Sequence, residues 1–256
     1  MSTHDIIAAC AAQVEIGDPD RFLATMAAPP AARPALLALY AFNLEVARAP
    51  WVTKEPLLAQ MRLQFWRDVL QGEIGVTHDT AAALLSVIET AGLDYALLMR
   101  VIDAREVEIG TSAAFADEAA LWRYLEDSAG ALLALAVQAL GGEASLAAQQ
   151  LGAAQGMANY LMAVPALEAA GRLPLPDGRP QAVASLARQG LARYTQARRE
   201  LRDLPKTARP ALAATWRTAR ILKLAAAQPM RVGDGALAQS EFARRGSLLW
   251  QSLIGY

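Results

Sequence analysis

Proline and glycine cut this chain into segments whose apolar residues recur at helical spacing, and little between the cuts favours strand. Asp18-Pro19 supplies an N-cap followed by a proline at the first helical position. A helix is therefore expected from there toward Ala28, ended by Pro29-Pro30. Pro34 opens the next, with Leu36, Leu37, Tyr40 and Leu44 as its apolar stripe and Pro50 as its close. Further helices are expected from Lys54–Pro56 to Gln71, over Thr80–Ala91 with Asp79 as cap, and from Asp94 to Ile109. Asp117 starts a long one that reaches Gly141-Gly142, and Ser145 starts another toward Ala170, with a kink or early end at Pro165. Residues 171–180 form a loop, Leu212–Ala227 is helical, Pro229–Gly235 is a second loop, and a last short helix follows. No linker, repeat or low-complexity tail interrupts the series. One all-α domain of roughly ten helices is the simplest account.

Composition agrees. Of 256 residues, 54% are apolar, enough to bury a substantial core. Ala and Leu, good helix formers, dominate, and β-branched residues are sparse. The single cysteine, Cys10, rules out an internal disulfide framework, suggests a reducing compartment and is read as a bystander near a flexible terminus. With His4 and His78 as the only histidines, a Cys/His metal site and a Ser–His–Asp triad are both disfavoured. No signal peptide is visible at Met1–Cys10, and the longest apolar run, Ala129–Val137, is far short of the roughly 20 residues of a membrane span. A cytoplasmic protein is expected. Residues 181–256 hold thirteen Lys/Arg against four Asp/Glu, a local balance of +9, so the preceding part carries −10. This asymmetry marks either a surface for an anionic partner, such as the inner face of a membrane, or solvated arginine-rich helix faces. Phosphate-loop, dinucleotide and nucleophile-elbow motifs are missing, and no aromatics interleave the basic residues, so no nucleic-acid partner is expected.

Several segments fall in a telling order. They are Arg21-Phe22-Leu23, Pro29-Pro30, Leu39-Tyr40-Ala41-Phe42, Phe65-Trp66-Arg67, Ile102 through Glu108, Tyr124 through Gly130, Leu151-Gly152 with Asn159-Tyr160-Leu161, and Gly171 through Pro176. Together they resemble the squalene/phytoene synthase family over nearly the whole chain. The resemblance implies an isoprenoid-synthase-like helical bundle with a central cavity, formed by residues 1–256 as one domain. In active members, two helices each present a pair of aspartates four residues apart, on one face. Magnesium ions held there neutralise the charge that develops on a departing diphosphate.

Carried onto this chain, the first pair falls at Ala47 and Trp51, with Arg48 in place of an adjacent aspartate, and Pro50 breaks the helix between them. The second pair falls at Ala163 and Leu167, and the arginine before it becomes Met162. None of the four can bind a metal, so no catalytic residue and no metal ligand is assigned. Other acids (Glu45, Asp68, Asp103, Glu106, Glu108, Glu126, Asp127) are read as surface or core-edge groups, and Glu108 matches a family acid. Tyr40, Phe42 and Trp66 either line a retained prenyl-sized cavity or form ordinary core. Asn43 and Asn159 hydrogen-bond inside the old cavity or serve as buried structural groups. Arg62, Gln64 and Arg67 face a ligand or partner or remain on the surface. Trp51, Leu167 and Met162 are expected to fill the cavity where the acids and the arginine sat.

Phe42-Asn43-Leu44-Glu45-Val46-Ala47-Arg48 and Met61-Arg62-Leu63-Gln64-Phe65-Trp66 are similar to the subgroup related to mitochondrial respiratory complex I assembly factor 6, which likewise lacks the aspartates. The resemblance implies a non-catalytic binding or assembly protein with a protein partner in complex I and no cofactor. Two readings stay open beside it. One is a working prenyltransferase whose magnesium ligands are displaced. The other is a carrier of an apolar isoprenoid, lipid or quinone ligand.

Overall fold

The computed structural model describes residues 2–53, 55–73, 78–112, 115–240, 244 and 246–249. Among these residues every regular element is helical. The main helices are α1 (Thr3–Gly17), α2 (Pro19–Ala27), α3 (Arg33–Arg48), α4 (Pro56–Gln71), α5 (Asp79–Ala91), α6 (Tyr95–Asp103), α7 (Glu118–Leu125), α8 (Ala131–Ala139), α9 (Leu146–Ala169), α10 (Pro180–Glu200), α11 (Thr218–Ala227) and the short α12 (Met230–Gly233). Most ends fall where the caps place them. The Asp18 side chain accepts from the Arg21 amide, Asp94 from those of Ala96 and Leu97, Asp117 from that of Ala120, and Ser145 from that of Ala148. Gly72, at φ +74°, closes α4 in the left-handed conformation that glycine adopts without penalty.

The departures are physical. Helix α1, which the sequence reading did not assign, is started by a capping box between Ser2 and Asp5 and packs on α3 and α5. That packing corrects the reading of Cys10. It lies in the core with Val14, and burial pushes its thiol up to about 11. α6 stops at Asp103 and continues as a 3₁₀ turn, Ala104–Glu108. The helix opened by Asp117 contains a π-helical turn, Glu126–Gly130, between α7 and α8. α9 runs on through Pro165 to Ala169 instead of ending there. Leu161 and Val164, just before the proline, are buried in the core, and this packing outweighs the one lost backbone bond. Met230–Gly233 is helical where a loop was expected, and much of the expected last helix lies outside the described residues.

α9 is the axis of the molecule. Residues 151–158 are buried all round, and the helix packs against α10, α11, α8 and the π-helical turn. α3 supplies the other main wall, with Leu36 through Leu44 buried. No helix of the described residues is long and apolar enough to cross a membrane.

Candidate functional site

α3 and α9 face one another across two small adjoining chambers, and the four positions onto which the resemblance carries the family's acids divide between them in pairs. Ala47 of α3 and Ala163 of α9 line an inner chamber of about 270 Å³, together with Asn43, Asn159, Arg21 and Arg105. Trp51 and Leu167 line an outer chamber of about 300 Å³ with Glu108, Phe115, Arg172 and Leu173. Tyr124 and Tyr160 belong to both walls. A third, polar cleft of about 470 Å³ adjoins the inner chamber through Arg21, Asn159 and Ala163. It includes Met162, Asp20 and Arg217.

The 3₁₀ turn after α6 puts Glu108 at the centre of the outer chamber's polar wall. Its Oε1 accepts from the Tyr124 hydroxyl at 2.6 Å and from Arg105 Nη1 at 3.1 Å. Its Oε2 accepts from Trp51 Nε1 at 3.0 Å. Arg105 also donates to the Tyr124 hydroxyl and lies over that ring. Burial lowers the affinity of Arg105 for its proton, but the Tyr124 hydroxyl oxygen and the Glu108 carboxylate outweigh it, and the guanidinium is held above its ordinary range. Burial raises the hydroxyls of Tyr124 and Tyr160, so both stay protonated. The Tyr160 hydroxyl donates to the Pro174 carbonyl at 2.8 Å. Arg172 stacks on Trp51, 4.5 Å from the ring centre, and donates to the carbonyls of Glu108 and Thr111. Trp51 is thus clamped between an arginine and a glutamate. Phe115, Tyr124 and Tyr160 form an aromatic cluster with centroids 5.0–6.2 Å apart.

Four of the candidate cavity residues are corrected. Phe42 lies five residues before Ala47, about 140° round the helix, and packs edge-on against Trp66 at 5.0 Å in the core. Neither lines a chamber. Tyr40 shares the face of Asn43 and Ala47, but Arg21 lies over its ring at 5.3 Å and takes its place in the wall. Its hydroxyl is pushed up to about 12 by burial. Arg48 is exposed and leans over Gly17, away from both chambers. Asn43 and Asn159 do line the inner chamber, and Glu108 the outer one; Met162 lines the polar cleft. The sequence reading gave no role to Arg105, Phe115, Tyr124, Tyr160 or Arg172. Four of these stood inside or beside quoted segments, but nothing local marks a side chain as facing a cavity.

Magnesium needs open carboxylate oxygens on both sides of the cleft. The Asp18 carboxylate accepts from the Arg21 amide at 3.0 Å and is paired with its guanidinium at 2.9 Å. Both Glu108 oxygens are taken up as described. Among the described residues no group of three His, Cys, Asp or Glu side chains stands close enough to hold a metal. The residues present therefore do not fit a trinuclear magnesium–diphosphate cluster. What the arrangement offers is an outer chamber walled mostly by aromatic and aliphatic groups and a more polar inner one, in which the Nε atoms of Arg21 and Arg105 are buried without a partner among the described residues.

An all-helical bundle with two facing central helices and chambers between them is the isoprenoid synthase fold. The chain superposes on a dehydrosqualene synthase solved with a ligand at a TM-score of 0.78, with 16% identity and coverage of 99% and 98% of the two chains. On a squalene synthase from Alicyclobacillus acidocaldarius the TM-score is 0.71, with 18% identity over 89% and 95%. At such identities these likenesses show the fold. The family described as squalene/phytoene synthase matches residues 15–179, and the chain belongs to it. Among curated proteins it is similar to the complex I assembly factor 6 homolog of Drosophila melanogaster, with 33% identity over 180 residues, covering 65% of this chain and 52% of the relative. The assembly factor 6 of Mus musculus is 30% identical over 154 residues, covering 58% and 46%. The chain thus spans about half the length of the curated relatives it matches.

Proposed function

We propose that this chain is a non-catalytic member of its family that acts as a binding or assembly protein for respiratory complex I. One observation carries the first half. The four positions that meet across the chambers hold Ala47, Ala163, Trp51 and Leu167, and the carboxylates nearby are paired with arginines. A departing diphosphate would find no metal to neutralise it. The second half is supported by the relatives named for complex I assembly. With farnesyl or geranylgeranyl diphosphate and Mg²⁺, diphosphate release is expected to equal that of heat-inactivated protein; metal-dependent release above it defeats the reading. Deleting the gene in the native host is expected to lower assembled complex I, and re-expression of this chain to restore it. Unchanged complex I defeats the assembly role.

A carrier reading is favoured by one feature, the apolar, aromatic lining of the outer chamber. It predicts a small apolar isoprenoid, lipid or quinone that co-purifies. Native mass spectrometry of freshly purified protein would show the added mass, and a uniformly empty protein counts against it. A cytoplasmic location, peripheral to the inner face of a membrane, accords with the +9 balance of residues 181–256.

A further inference from the structure

The polar cleft beside the inner chamber holds more donors than acceptors. It forms where the first turn of α2 meets α9 and the segment before α11, and Asp18, Asp20, Arg21, Asn159, Arg217 and Arg244 line it. Arg21 and Arg217 are each only 8% exposed. Both are held from one side. Asp18, the N-cap of α2, accepts from Arg21 Nη1 at 2.9 Å, and Asp20 accepts from Arg217 Nη1. Arg244 reaches the other Asp20 oxygen at 3.3 Å. Aromatic rings lie beside both guanidinium groups, Tyr40 under Arg21 and Trp216 at 6.0 Å from Arg217. A second edge of each is unused. Among the described residues, the Nε of Arg21 and that of Arg217 are buried with no hydrogen-bond partner. A buried N–H without an acceptor is costly, and two on the walls of one cleft point to a missing acceptor.

We propose that this cleft binds the carboxylate of a small organic acid, with arginines and no metal. Charge sets the class of ligand. Three arginines against two aspartates leave one positive charge in excess within the lining. That excess balances a single negative charge. A diphosphate brings several, and both aspartates here are already paired with arginines, so neither is open to hold magnesium for it. Shape agrees with charge. An arginine paired through Nη1 can still offer the edge that carries Nε, a planar fork that matches the two oxygens of a carboxylate. The Asn159 side-chain amide adds a donor on the same wall. The body of the acid has a place too. The cleft joins the inner chamber at Arg21, Asn159 and Ala163, and there Leu44, Ala47, Leu125 and Ala129 supply apolar wall. The site is separate from the outer chamber, whose lining suits an uncharged ligand.

The test is isothermal titration calorimetry of the full chain in a low-salt amine buffer at pH 8. The probes share one chain and differ in the head: octanoate, the uncharged octanamide, and octyl phosphate, a dianion at that pH. Octanoate is expected to bind, and the other two to bind about tenfold more weakly or not at all. Added Mg²⁺ is expected to change none of the three. Arg21→Lys keeps the positive charge but removes the fork, and is expected to weaken octanoate about tenfold. Ala163→Phe leaves every charge in place and fills the junction of cleft and chamber, and is expected to abolish binding. Arg199→Lys, at an exposed position on α10, should bind as wild type does. Circular-dichroism melts show whether the variants fold, and the comparison of heads on the unaltered chain decides even if one does not. Equal binding of octanoate and octanamide, tighter binding of octyl phosphate, a need for Mg²⁺, or undiminished binding by both folded variants overturns the proposal. So does a cleft that takes none of the three probes. No readout here involves diphosphate release or complex I, so failure of this site and failure of the assembly reading are separate outcomes.

Discussion

Replacing Glu108 by alanine is expected to destabilise the protein by about 3–5 kcal/mol, the range for removing one partner of a buried ion pair. The side chains of Arg105 and Glu108 are only 13% and 15% exposed. Without the carboxylate, the guanidinium stays buried with the Tyr124 hydroxyl as its remaining listener for charge, and Arg105 Nε already lacks a partner. The loss spreads further, because Trp51 Nε1 and the Tyr124 hydroxyl both donate to the same group. Glu108→Gln keeps the shape and some of the hydrogen bonds but not the charge, so it should lose less. Urea unfolding followed by circular dichroism and by tryptophan fluorescence checks this. Glu108→Ala should lower the midpoint well below that of Glu108→Gln. Equal stability of wild type and Glu108→Ala would show that the network does not hold the chamber wall. The direction also bears on function: in this chain the Glu108 carboxylate is bound up in structure.

Gly152→Ala is expected to cost about 3 kcal/mol, the upper part of the range for overpacking a closed core, and Gly152→Val more. α9 crosses the π-helical turn at this point. A Cβ at position 152 would collide with the Ala129 carbonyl oxygen, and would lie 2.8 Å from both Gly130 Cα and Leu133 Cβ. Two of these atoms are backbone and the third is the root of a buried side chain, so none can swing aside. The crossing is tight from both sides: a Cβ on Gly130 would stand 2.8 Å from the Gln149 carbonyl oxygen. Gly178→Ala is the control, since nothing lies within 4 Å of its added carbon and its φ is not positive. The measurement is the urea midpoint at unchanged slope. A Gly152→Ala midpoint equal to that of Gly178→Ala would mean that α9 can shift away from the turn. Such a shift would also move Asn159, Tyr160 and Ala163, so chamber geometry and helix crossing are coupled through one glycine.

The helix ends were legible because their causes are local. Asp18, Asp94, Asp117 and Ser145 cap amides two or three residues on, and Gly72 and Gly92 end helices at positive φ. Where a local rule met a tertiary one, the local rule lost. Pro165 sits inside α9, and Cys10, close to the start of the chain, is in the core. The π-helical turn could not be read at all, because weak helix formers such as Asp127, Ser128 and Gly130 do not by themselves specify a wider turn, and the extra residue is accommodated against α9.

The sequence alone determined that this protein is a series of helices and that it resembles a metal-dependent prenyl-transfer family, a resemblance that carries the family's acid positions onto Ala47, Trp51, Ala163 and Leu167. Those are statements about residue type and spacing, which a chain carries whether folded or not. Only the tertiary structure decided that Ala47 meets Ala163 in one chamber and Trp51 meets Leu167 in another, that Glu108 is spent on Arg105, Tyr124 and Trp51, and that Phe42 and Trp66 belong to the core. Which side of a helix faces a cavity depends on what packs against its other sides, and those contacts join residues far apart in the chain, beyond the reach of any local pattern.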